Sequence, residues 1–248
     1  MHELFGTKHI ILIIISVIVI ALGGFFTRKA KFKNVVFTMF TIGIISEIIK
    51  VVYYIVRNES THGGYLPKTD LPFHLCSIQI IFLAILHYSK NEKLKRLLMS
   101  FMLPSCLIGG IAAILIPTYT ARNGMWIITL QYFGYHAAIS IFSIFLLTNK
   151  DMKWTIKDML NCFKILGLFG LVSIYINSML NDGTGGINFM YTVAPPQDGL
   201  PYLNLNQGWL MYIIKYASVA ILAVLLTYIK PIIDFFKNLK NKNNEELA

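Results

Sequence analysis

The chain has 248 residues, 56% of them hydrophobic and only 14% charged, with a formal net charge of +10. A soluble domain carries about 25% charged residues, so this composition excludes one and points to an all-α, polytopic membrane protein. The basic residues fall in short connections between apolar runs, not on a foldable soluble surface, which excludes nucleic acid as the partner and leaves membrane lipids.

Seven apolar runs follow one another, each near the ~20 residues that a bilayer crossing needs. The first, 10–26, precedes Arg28, Lys29, Lys31 and Lys33. A signal peptide carries its positive charge ahead of the apolar run, so this one reads as a retained span. The second, 34–56, contains Glu47 and Lys50, and the third, 73–88, opens with His74, Cys76 and Gln79. The fourth, 97–116, carries Gly109-Gly110, a pair that permits close helix packing. The fifth, 125–147, holds His136, the sixth, 160–180, ends near Tyr175 and Asn177, and the seventh, 208–229, carries Lys215. A basic tail, 231–248, begins with an apolar-basic stretch from Ile232 to Lys240, readable as the frayed end of the last helix or as a short interfacial helix. No repeat divides the chain, so the whole forms one domain of seven transmembrane helices.

Loop charge orients it. Arg28, Lys29, Lys31 and Lys33, then Lys90, Lys93, Lys95 and Arg96, then Lys150, Lys153 and Lys157, then the tail, crowd one side; Lys8, Arg57, Lys68 and Arg122 are sparse on the other. Basic loops stay cytoplasmic, which places the N-terminus outside and the C-terminus inside. The outer loops are unusual. Residues 57–72 contain His62-Gly63-Gly64-Tyr65-Leu66-Pro67, and residues 181–207 have no Lys or Arg but include Pro195, Pro196 and Pro201. The second loop has the length of a lid or binding segment as well as of a plain connector.

With this orientation Glu47, Lys50, His74, Cys76, Gln79, His136, Asn177 and Lys215 share the middle and outer half of the membrane. Ionisable groups at membrane depth are costly, so their gathering points to a polar pocket facing the outer leaflet. Each also has a plain structural role available. Glu47 and Lys50, three apart, can neutralise each other; Lys215 can snorkel; His74 can anchor the interface; His136 can bond between helices; Cys76 can pack as a small hydrophobe. Cys76, Cys106 and Cys162 form no disulfide framework and no paired metal motif, and no metal or cofactor is expected.

The stretch Leu71-Pro72-Phe73-His74-Leu75-Cys76-Ser77 resembles the Leu-Pro-x-His/Gln-x-Cys opening of a helix in the YwaF-like bacterial integral membrane proteins. His136 matches a later His of that pattern. Asn188-Phe189-Met190-Tyr191-Thr192-Val193-Ala194-Pro195 matches an Asn-Tyr-Met-x-x-x-x-Pro segment, with Phe189 where Tyr is more usual. The resemblance runs from about residue 40 to the last span. That family is distantly similar to eukaryotic seven-span ether-phospholipid acyltransferases, in which an intramembrane Cys and His act in acyl transfer. The resemblance thus implies a multi-pass protein of the bacterial cytoplasmic membrane, with Cys76 as nucleophile and His136 as base. Around them Lys50 and Lys215 would hold a headgroup phosphate, His74 would meet a phosphate or the long outer loop, and Gln79 would donate to an oxyanion. Glu47, Asn177 and Asn188 complete the candidate substrate-binding set.

Three other readings compete. A non-catalytic carrier or binder of a lipid or small polar ligand needs the same pocket but not the thiol. A retinal protein needs a carboxylate counter-ion for Lys215, and the third span has no Asp or Glu. A scaffold gains nothing from desolvating clustered ionisable groups. Oligomeric state is not legible.

Overall fold

The computed structural model describes residues 4–58, 64–118, 125–181, 186–197 and 199–246. His62, Gly63, Arg122, residues 182–185 and the last two residues of the tail lie outside them.

Among the described residues the chain is all-helical, with eight helices and no strand. They are α1 (Thr7–Thr27), α2 (Phe32–Asn58), α3 (Leu75–Tyr88), α4 (Glu92–Leu115), α5 (Trp126–Thr148), α6 (Ile156–Leu180), α7 (Trp209–Thr227) and α8 (Ile229–Glu246). Six of them, α1, α2, α4, α5, α6 and α7, are long and apolar enough to cross a membrane. α3 is a shorter apolar helix of 14 residues, about 21 Å long at 1.5 Å per residue against a hydrocarbon core of about 30 Å. Within the expected third span, 73–88, the helix begins only at Leu75.

Proline chemistry explains the shortfall. Pro72 biases Leu71 toward extended backbone, and Leu71 adopts φ −58°, ψ 149°. Upstream, Pro67 leads into a single 3-10 turn, Lys68–Asp70. The helix starts only after His74, itself extended at φ −73°, ψ 151°.

α5 is the central helix, with α1, α2 and α4 packed directly on it. Its buried face includes Phe133, Tyr135, His136, Ser140, Phe142 and Phe145. The approach of α4 is close because Gly110 has no side chain: a Cβ there would lie 2.3 Å from Ser140 Oγ and 2.9 Å from the His136 carbonyl oxygen. α6 and α7 pack on α4 from its other side, and α8 meets α6 and α7.

One polar latch joins the ends of α4 and α6. Arg96 donates from Nε to Asp158 Oδ1 at 2.8 Å and from Nη2 to Asp158 Oδ2 at 2.7 Å, while its guanidinium lies over Trp154. Asp158 also completes a capping box with Thr155 at the start of α6. Tyr228, between α7 and α8, is fully buried and donates its hydroxyl to the Ser100 carbonyl at 2.8 Å. Ion pair, tryptophan and tyrosine together make a polar-aromatic belt at the end of the bundle that carries the basic loops.

Candidate functional site

Cys76 occupies the second residue of α3, one position beyond the start that Pro72 dictates. The N-cap, His74, makes no side-chain capping bond, so no capping side chain meets the first-turn N–H groups of α3, and the positive end of the helix dipole lies beside the thiol. The Ser77 hydroxyl and the Cys76 and Ser77 N–H groups lie against the sulfur, and the Lys50 ammonium is within electrostatic range. Cys76 is half-buried, whereas Cys106 and Cys162 are buried; all three are free thiols.

α5 is tied to this turn by the Tyr135 hydroxyl, which donates to the Cys76 carbonyl at 2.7 Å. The next residue, His136, is 4% exposed and bonds through Nδ1 to the Tyr132 carbonyl at 2.7 Å. A carbonyl only accepts, so Nδ1 carries the proton and Nε2 keeps a free lone pair. Tyr132 and Tyr191 also lie within electrostatic range of Cys76, and His74 within range of His136.

A second layer closes over His74. Its Nε2 donates to the Thr69 carbonyl at 3.2 Å, and its ring lies against Phe189 at 5.1 Å and Tyr191 at 6.0 Å between centroids. Lys50 pairs with Glu47 at 2.8 Å and donates to the Asp70 carbonyl at 3.2 Å, so it staples α2 to the loop before α3. Asp70 joins this group through Tyr54 and Thr69; burial raises its carboxyl above the ordinary value while Lys50 pulls it back.

Phe189 and Tyr191 are held in place by two asparagines. Asn177, 1% exposed, accepts from Phe189 N–H at 2.8 Å and donates to the Phe189 carbonyl at 3.0 Å and to Thr192 Oγ1 at 2.9 Å. Asn188 accepts from the N–H groups of Val193 and Ala194 and donates to the Ala194 carbonyl at 2.8 Å. Tyr212 donates to the Tyr191 carbonyl at 2.5 Å and Trp209 to the Thr192 carbonyl at 2.9 Å. Between these ties Met190 and Tyr191 adopt left-handed φ values of 54° and 53°. Such residues cost on the order of 1–3 kcal/mol each and persist only where the surroundings over-determine them.

Lys50 thus pairs with Glu47 and lies within electrostatic range of Cys76 and His74, and His74 within range of His136, where α2, α3 and α5 approach one another. Asn177 and Asn188 act one step removed, clamping the backbone of the segment that covers His74. Lys215 stands apart, its ammonium 5.8 Å from the Tyr202 ring centroid. Gln79 is fully buried on α3, but its amide nitrogen already donates to the Leu75 carbonyl at 3.0 Å and to Ser105 Oγ at 3.1 Å. Its unpartnered atom is the acceptor Oε1, the opposite polarity to an oxyanion donor. Sequence reasoning missed Tyr54, Asp70, Tyr132, Tyr135 and Tyr191. The aromatic spacing ahead of His136 was the available signal, and it reads equally as core.

A cavity of about 300 Å³ opens beside the asparagine clamp, lined by Ile174, Asn177, Ser178, Thr192, Val193 and Trp209 among others. Neither Cys76 nor His136 lines it. Among the described residues no group of three or more His, Cys, Asp or Glu side chains comes together to hold a metal ion.

The family model that matches this chain spans residues 4–228, from the start of α1 to the end of α7. The chain belongs to the TMEM164 family. It is thus a membrane-protein family, and the match takes in the Cys76 turn, His136 and the asparagine clamp of this TMEM164-family chain. No curated protein and no solved structure matches it.

Proposed function

We propose that the protein is a membrane-embedded, lipid-directed acyltransferase in which Cys76 is the nucleophile and His136 the base. The observation that carries this reading is the position of Cys76 on the first turn of α3, where N–H groups, the helix dipole and Lys50 act against the burial that keeps an apolar-lined thiol protonated. His136 Nε2 takes the thiol proton. The sulfur attacks the ester carbonyl of a phospholipid, forming a C–S bond, and the first-turn N–H groups of α3 hold the oxyanion. The C–O bond breaks, the lysolipid alkoxide recovers the proton from His136, and a second hydroxyl acceptor then takes the acyl group from the thioester by the same steps in reverse. Lys50 supplies positive charge beside the thiolate and Glu47 sets its position, while the loop carrying Phe189 and Tyr191 covers His74 and excludes water.

In this reading α3 completes a count of seven spans, with the N-terminus outside and the basic loops at the cytoplasmic face of a bacterial membrane. The loop charges support that orientation, and the Pro-x-His-x-Cys and Asn-Phe-Met elements support the YwaF-like kinship. The competing reading, a non-catalytic binder or carrier of a lipid or small polar ligand, draws on the cavity beside Trp209, which lies away from the thiol.

The deciding experiment is mass spectrometry of purified protein after incubation with phospholipid, wild type against Cys76→Ala. A hydroxylamine-sensitive acyl adduct at Cys76, absent in the variant, establishes the acyl-enzyme. No adduct, together with unchanged lipid co-purification in the variant, sinks the thiol mechanism in favour of the carrier.

A further inference from the structure

α8 follows α7 after the single residue Tyr228, whose backbone (φ −96°, ψ 17°) departs from helical values. Tyr228 itself is buried in the belt formed by Ser100, Trp154 and the Arg96–Asp158 pair, so the first turn of α8 starts at the membrane boundary on the basic side. Pro231 falls in that first turn, where a missing N–H costs nothing. Among its described side chains, Ile232 packs partly into the core. Beyond it the helix leaves the bundle with its side chains open: Ile233, Phe235, Phe236 and Leu239 are all exposed.

These apolar residues are not scattered. Ile229, Ile232, Ile233, Phe236 and Leu239 recur at three- and four-residue spacing and make one face, with Phe235 at its margin. Asp234 and Asn238 lie on the opposite face, and Lys230 and Lys237 lie together along one edge of the apolar stripe, two turns apart. Lys240 falls within the stripe near its end, where its stem can lie on apolar surface while the ammonium reaches out to headgroups. An apolar stripe edged by lysines matches one environment, the boundary between acyl chains and anionic headgroups. A core packed against another helix would not need the lysines, and an aqueous tail would not carry two adjacent phenylalanines.

We propose that α8 is a membrane-surface helix. It lies in the leaflet that borders the basic loops, its Ile233–Phe236–Leu239 face at the level of the upper acyl chains, and Lys230, Lys237 and Lys240 bind anionic phospholipid headgroups. The contact fixes the end of α7 relative to the belt and makes seating of the last helices depend on lipid charge.

The test uses the full chain with Cys76, Cys106 and Cys162 replaced by Ala and a single cysteine introduced as Phe236→Cys or Asn238→Cys. Each carries an environment-sensitive fluorophore and is placed, one chain per disc, in nanodiscs of phosphatidylcholine with or without phosphatidylglycerol. In anionic discs acrylamide quenching at position 236 is expected to be at least about threefold weaker than at position 238, with doxyl-lipid quenching only at 236. Replacing Lys230, Lys237 and Lys240 by Gln in the same background abolishes that protection. Equal quenching at the two positions overturns the proposal. So does protection that appears only with two chains per disc, which assigns the face to a second copy. Protection that is indifferent to phosphatidylglycerol and to the lysines overturns the anionic-lipid contact.

Discussion

The Tyr135 hydroxyl and the Cys76 carbonyl oxygen are 2.7 Å apart, and this one bond sets the level of α5 against the first turn of α3. His136 follows Tyr135 directly, so loss of this bond is expected to loosen α5 and its imidazole against the first turn of α3. Tyr135→Phe removes the donor without changing shape. The expected cost is about 1 kcal/mol of stability, seen as a lower thermal midpoint. If Cys76 and His136 act together, acyl-adduct formation also slows about tenfold, the equivalent of ~1.4 kcal/mol in the barrier. An unchanged adduct rate with the lower midpoint would show that the bond serves packing alone.

Gly110 and Gly109 are adjacent, yet they predict opposite outcomes. A methyl at 110 meets Ser140 Oγ at 2.3 Å and the His136 carbonyl at 2.9 Å; the hydroxyl can rotate but the backbone cannot. At 109 the nearest atom is Leu75 Cδ2 at 3.4 Å, the end of a flexible side chain. Gly110→Ala is expected to cost about 1–3 kcal/mol through overpacking, and Gly109→Ala well under that. Thermal unfolding of the two variants in detergent checks the contrast.

Removing the Asn177 amide leaves the Phe189 N–H without its partner in a buried setting, while the Phe189 carbonyl keeps the Thr192 N–H and hydroxyl. Asn177→Ala is expected to cost about 1–3 kcal/mol, the cost of one orphaned buried group. Hydrogen exchange locates the damage: residues 186–197 lose protection while α5 keeps it. Uniform loss across the bundle would mean that Asn177 supports the whole fold and not this segment.

Asp158 performs two separable jobs, capping α6 and pairing with Arg96. Asn can still cap but cannot pair, so Asp158→Asn tests the ion pair and Asp158→Ala tests both. The Asp158 side chain is 7% exposed and that of Arg96 34%, so the pair is partly screened by solvent. Asp158→Ala is expected to lower stability by about 2–3 kcal/mol, of which about 1 belongs to the cap. Asp158→Asn should lose roughly half as much, and thermal midpoints at low and high salt separate the two contributions.

Hydrophobic runs determined most of the helices, because a backbone in hydrocarbon must satisfy its own hydrogen bonds and only long apolar helices do so here. The charge pattern likewise set apart one end of the bundle, and the polar residues at shared depth drew attention to Glu47, Lys50, His74, Cys76 and His136 before any contact was known. What the sequence could not contain is which groups spend their hydrogen bonds on the chain itself. Asn177 and Asn188 read from the sequence as candidate ligand groups, and in the fold they satisfy backbone N–H and carbonyl groups of the 188–194 segment, Asn177 also lining the cavity beside Trp209. Gln79 looked like a donor, but the Leu75 carbonyl and Ser105 consume its amide protons. The late start of the third helix was within reach of the sequence, because Pro67, Pro72 and the turn at Lys68–Asp70 delay it to Leu75 and bring Cys76 to a helix end. The Asn177–Phe189 and Gln79–Ser105 bonds depend on how separate elements pack, and only the tertiary structure decides them.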